Sequence, residues 1–169
     1  MCNGFDPGPS TLSDSVIKNN VSVAISSAGR ADVLGAGIDV ASTLTMQRVG
    51  VTGNSGVGLS STGDVQGGGI WNGAFPSPFL EGLHSNLRLE HVVVKGNRVI
   101  GGRATGGGIF TRDPIAVNET QVSGNRPNDC TGCGGAVTAS VASPTAAAQR
   151  SGSGQRPFTD PLVAHLLLH

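Results

Sequence analysis

Three stretches of this chain carry the same two punctuation marks. Each opens on a glycine-rich tetrapeptide ending in isoleucine, GAGI (35–38), GGGI (67–70) and GGGI (106–109), and closes on a glycine–asparagine pair, in LTMQRVGVTGN (44–54), LRLEHVVVKGN (87–97) and IAVNETQVSGN (115–125). In register, Leu44, Leu87 and Ile115 coincide, as do Met46, Leu89 and Val117, then Val51, Val94 and Val122, and finally Asn54, Asn97 and Asn125. A degraded earlier copy, LSDSVIKNN (12–20), supplies Ile17 and Asn20 to the same columns. Internal repetition of this kind constrains the fold more than any local motif, because each copy must bury its apolar face against its neighbours.

Within each copy the apolar residues alternate with period two, the signature of a strand, and no amphipathic helix of useful length appears. The glycine runs suit corners where the backbone needs positive φ or close approach. Each copy therefore reads as strand, corner, strand, corner, with the asparagine at a bend. The span from isoleucine to asparagine is 16 residues in the first and third copies and 27 in the second, which places an 11-residue insertion around NGAFPSPFLEGLHS (72–85). Short strands, constant columns and variable loops predict a solenoid, with inward aliphatic ladders and an asparagine ladder of Asn20, Asn54, Asn97 and Asn125.

Composition agrees. There are 27 glycines without the G-X-Y period of collagen, and only 13% of residues are charged. Acids and bases balance at 11 each, so no long-range field favours nucleic acid or an anionic membrane. No stretch approaches the roughly 20 apolar residues of a membrane-spanning helix, and no signal peptide is visible at the N-terminus.

The paired motifs resemble the GGAI and FxxN repeats of the chlamydial polymorphic outer-membrane proteins and related bacterial right-handed parallel β-helix proteins. Here GGGI stands at 67–70 and 106–109, and I/VxxN at 17–20, 51–54, 94–97 and 122–125, with Val or Ile in place of Phe. The run VSGNRPNDC (122–130) is similar to the closing repeat of secreted actinobacterial relatives. The resemblance implies an all-β, single-stranded right-handed parallel β-helix, of the pectin-lyase-like fold, with about four turns. It would occupy residues 11–130, after an extension at 1–10 and before a disordered, low-complexity tail at 131–169. It also implies a secreted or cell-surface location, and the chain reads as a fragment of a longer protein.

Candidate chemistry is sparse. No Gly-Lys pair exists, so a Walker loop is excluded, and no helix follows any glycine cluster as a dinucleotide fingerprint requires. Asp39 in GAGID matches part of a calcium β-roll motif, but Trp71 and Phe110 hold the equivalent places, so Asp39 reads as a solvated turn residue. Polysaccharide hydrolysis needs two carboxylates at matching columns of adjacent turns; Glu90 and Glu119 sit one register step apart and should face opposite ways. His84 and His91 show no acidic partner at a matching column. Cys130 and Cys133 form a lone CxxC outside any redox or zinc context, read as a local disulfide or inert thiols.

The sequence thus predicts no catalytic residues, no cofactor and no metal. Its reading is a non-catalytic surface or extracellular repeat protein with a structural or adhesive role, against the alternative of a pectate-lyase-like enzyme or enzyme fragment acting on polysaccharide. The interaction loop would be Trp71, Phe75, Phe79 and Leu80 on the insertion, and the partner a host or cell-surface protein or a polysaccharide, without nucleic acid. Neither end offers a recognisable cap, so the stack should associate end to end.

Overall fold

The computed structural model describes residues 2–3, 8–60, 62–74 and 84–134. Phe75, Phe79 and Leu80, and the tail from residue 135 onward, lie outside the described residues. The described chain is all-β, and none of its nineteen elements is a helix. From Ile38 it runs through five short strands: Ile38–Val40, Thr43–Gln47, Gly50–Thr52, Ser55–Leu59 and Asp64–Gln66. It then enters Ile70–Asn72 beside Ile38–Val40 and repeats the order through Asn86–Glu90, Val93–Lys95, Arg98–Ile100 and Arg103–Thr105. An earlier pass supplies Cys2–Asn3, Ser10–Ser13, Val16–Lys18, Val21–Ile25 and Val33–Leu34. A later one supplies Ile109–Thr111, Ile115–Asn118 and Gln121–Ser123, and Cys130–Thr131 closes back onto Ile109–Thr111.

Five parallel sheets result, with strands in chain order within each, which is the arrangement of a β-solenoid. They are called first to fifth here in the order that a pass meets them. The aligned columns are the observed register. Leu44, Leu87 and Ile115 pair in the second sheet, as do Met46, Leu89 and Val117, with Leu12 added beside Met46. Val51, Val94 and Val122 pair in the third, with Ile17 beyond Val51.

One expectation needs correction: a pass contains five strands, not two. The fourth strand escapes a periodicity reading because Gly56 and Gly58 fill its inward positions, while Val57 and Leu59 point outward. A Cβ at Gly56 would lie 3.1 Å from Val33 and 3.4 Å from Val65 and Val99, which leave little room behind it.

The interior has two lobes. The larger is lined by the first three sheets and holds Ile38, Met46, Val51, Ile70, Leu89 and Val94, each fully buried. The smaller, behind the fourth and fifth sheets, is built on Val33, Val65 and Val99. A polar wall divides them. The buried asparagines at the end of the third sheet meet the third glycine of each triplet at the entry to the first sheet. A Cβ on Gly37 would lie 3.0 Å from Asn54 Nδ2, and one on Gly69 would lie 2.9 Å from Asn97 Nδ2. The two sequence motifs are thus two sides of one contact, and only glycine leaves room for the amide.

Candidate functional site

The asparagine wall is a continuous hydrogen-bonded ladder. Asn54 donates from its backbone N–H (2.9 Å) and from Nδ2 (2.9 Å) to Asn97 Oδ1. Asn97 does the same to Asn125 Oδ1, at 2.9 and 3.0 Å, and Asn20 to Asn54 Oδ1, at 3.1 and 2.9 Å. The second amide hydrogens go to main-chain carbonyls, from Asn97 to Val51 and from Asn125 to Val94. A buried carboxamide left unpaired would cost about 1–3 kcal/mol; here the stack pairs it. The residue before each rung takes a left-handed conformation. Gly53, Gly96 and Gly124 have φ of 64–66°, and in the first pass Asn19 takes the role at 57°.

The ladder also has an end, a local closure by a residue outside the repeat columns. Asp129 Oδ1 accepts from the Asn125 backbone N–H (2.8 Å) and from Asn125 Nδ2 (2.9 Å), reproducing the pair of bonds that a further asparagine rung would accept. Beside it, Cys130 and Cys133 are joined by a disulfide. Sequence reasoning missed Asp129 because it lies four residues beyond Asn125 and takes its place only by folding back.

The insertion is pinned at its root. Asp113 Oδ2 accepts from the Ala74 N–H (3.1 Å), the Ser85 N–H (3.0 Å) and the Ser85 hydroxyl (2.8 Å), while Asp113 Oδ1 lies 3.1 Å from His84 Nδ1. One carboxylate therefore ties together the points where the chain leaves and rejoins the described stack. Burial acts to raise the Asp113 pKa, but the Ser85, His84 and Ala74 bonds outweigh it and hold the group below the usual aspartate value.

Trp71 departs from its expected place on an exposed loop. It lies in the strand Ile70–Asn72, fully buried, with Nε1 donating to Gln66 Oε1 (3.2 Å) and the Arg112 guanidinium 5.8 Å from the ring centroid. Its place in register between Asp39 and Phe110 makes it part of the first sheet. Asp39 is corrected as well. It sits in the strand Ile38–Val40, half-buried rather than solvated, with Oδ1 out of reach of water and of any hydrogen-bond donor among the described residues. Burial pushes its pKa up to about 6.

Two charged columns were not anticipated. Asp14, Arg48, His91 and Glu119 occupy one corner of successive passes, all non-glycine residues with φ of 44–53°. Arg48 forks onto both Asp14 oxygens at 2.6 and 2.7 Å, and His91 meets Glu119 at 2.9 Å. His84 and His91 thus have acidic neighbours, because corners and loop roots bring together residues that strand columns do not. Glu90 lies on the outer face of the second sheet, bonded to Arg88 and to Gln47 Nε2 (2.8 Å), and directly precedes the corner in which His91 meets Glu119.

The second column is the carboxylate pair that polysaccharide chemistry would ask for. Asp32 and Asp64 each precede the paired strands Val33–Leu34 and Asp64–Gln66 or begin them, and Arg103 follows in register. The alignment of ADVLGAGI (31–38), GDVQGGGI (63–70) and GRATGGGI (102–109) carries this signal. Arg30, however, bonds Asp32 (2.6 Å) and Asp64 (2.5 Å) at once, and the Asp64 N–H donates to Asp32 Oδ1 at 2.7 Å. Burial acts to raise the Asp32 pKa, but these partners outweigh it and bring it below the usual value. A glycosidase acid needs the opposite shift; this pair is built as an ionic staple across passes.

Among the described residues, no group of three or more His, Cys, Asp or Glu side chains is placed to hold a metal ion, and no helix is long and apolar enough to cross a membrane. Compared with protein-family models, with curated proteins and with solved structures, the chain has no significant match.

Proposed function

We propose that the chain is a right-handed parallel β-helix of about four turns, of the secreted or cell-surface repeat type that its motifs resemble, and that it is a non-catalytic display scaffold. Its working part is the segment 75–83, which joins the clamped residues Ala74 and Ser85 and would serve adhesion to a cell-surface protein or polysaccharide. The observation that carries this reading is the Asp113 clamp. Ala74 and Ser85 are fastened to one carboxylate oxygen, so the stack continues in register past the excursion, from Ile70–Asn72 to Asn86–Glu90. Solenoids accept insertions on one face, and such insertions often bind. The Arg30 staple across Asp32 and Asp64 weighs against the alternative of polysaccharide cleavage.

The test compares the chain with a variant in which 75–83 is replaced by glycine and serine at equal length. Retention on immobilised polysaccharides and on whole cells should fall at least tenfold while the thermal midpoint stays within a few degrees. Equal retention by both proteins would contradict the display role. Turnover of an oligosaccharide, abolished by replacing Asp32 or Asp64, would establish the enzyme reading instead.

A further inference from the structure

The cysteine pair has no part in the display role, yet the fold gives it a definite place. After Asn125 the chain folds back onto the glycine triplet 106–108. The Gly108 N–H donates to Asn128 O (3.2 Å) and the Ile109 N–H to Asp129 O (3.0 Å). Asn128 fastens this segment further. Its Oδ1 accepts from the Gly106 N–H (2.8 Å), and its Nδ2 donates to Cys130 O (2.9 Å) and Thr131 Oγ1 (2.7 Å). Cys130–Thr131 then pairs with Ile109–Phe110.

The next turn is shaped to bring Cys133 back to Cys130. Gly132 takes a φ of 84°, in the left-handed region, and a Cβ there would collide with Thr111 O. Both cysteines are partly exposed, and both pack against the larger core lobe. The bridge therefore covers apolar core and, at the same time, fixes the residue that directly follows Asp129. Asp129 is the group that accepts both bonds from Asn125.

We propose that the Cys130–Cys133 disulfide is a redox-sensitive latch on the last rung of the asparagine ladder. Oxidised, it holds Asp129 on Asn125; reduced, it lets Asp129 leave while the earlier passes stay folded. The response is local for two reasons. The cysteines are three residues apart, and the loop-closure contribution of a disulfide is smallest for short loops. The bridge also lies outside the repeat columns, so Asn54 keeps both of its bonds to Asn97 Oδ1 without it. Partial exposure puts the sulfurs within reach of a soluble dithiol, and exposed disulfides are the labile ones. In the exchange one thiolate of the dithiol attacks a bridge sulfur, and its second thiol resolves the mixed disulfide. The bridge gains two electrons and two protons as its S–S bond breaks, and the dithiol leaves as its own disulfide. None of this rests on the display role.

The test uses the full chain under native conditions, with and without dithiothreitol. Alkylation followed by peptide mapping should find Cys130 and Cys133 blocked before treatment and labelled after it. Exchange of the Asn125 carboxamide protons should then speed at least tenfold, while that of Asn54 changes less than twofold, and oxidised glutathione should restore the slow rate. C130S/C133S should fold and behave as the reduced chain with or without reductant. The proposal is overturned by cysteines that are free at the outset, or by a bridge that resists dithiothreitol until the stack unfolds. It is equally overturned by Asn125 exchange that ignores reduction, by equal acceleration at Asn54 and Asn125, or by a double variant that does not fold.

Discussion

The residue that stands against the rest of the fold is Asp39. Most carboxylates on the described stack are paired with arginine or backbone donors, whereas Asp39 has a buried oxygen without a donor and a pKa pushed up to about 6. The native state therefore holds its proton more tightly than the unfolded chain does. Stability linked to this group is greatest below pH 4, falls as pH rises from 4 to 6, and is fully lost above that window. Asp39→Asn should raise stability at pH 7.5 by on the order of 1–2 kcal/mol, after allowing for partial solvent screening, and leave it unchanged at pH 3.5. Denaturant titrations at the two pH values check this. A loss of stability at pH 7.5 would show that the charge has a partner. Periodicity gave no warning of this site: partial burial comes from the neighbours above and below, Trp71 among them, and a single strand does not specify its neighbours.

At the scale of elements, the glycine triplet and the asparagine bend are one device, and similar glycines in them do different things. Gly69 has no need of a special φ; it is small because a Cβ would lie 2.6 Å from Gly108 O and 2.9 Å from Asn97 Nδ2. Gly96 has open space around it and is glycine for its φ of 66°. Gly69→Ala should therefore cost about 3 kcal/mol, since backbone cannot yield, and Gly96→Ala about 1 kcal/mol. Thermal unfolding of the pair settles the ranking, and equal costs would mean that the wall is looser than described. The columns of the second and third sheets were legible because Leu, Met, Val and Ile alternate there with polar residues. The fourth sheet was not, since the inward residues of its first two strands are Ser22, Ala24, Gly56 and Gly58, and only Val99 on the third is a large aliphatic. The Asp32, Asp64 and Arg103 column could have been found by extending the alignment upstream of the glycines. Asp113 and Asp129 could not, because each acts from outside the repeat columns.

For the molecule as a whole, the account rests on one claim: successive passes stack in register around a buried, directional asparagine ladder that is closed at Asp129 and open at Asn20. Paired charges and loop root both hang on that frame. The side-chain amide protons of the ladder report on it most directly. By nuclear magnetic resonance, the carboxamide protons of Asn54, Asn97 and Asn125 should exchange with solvent at least a hundredfold more slowly than those of exposed Asn86, and Asp129→Ala should speed Asn125 first. Carboxamides at 54, 97 and 125 exchanging as fast as at 86 would contradict the stack itself.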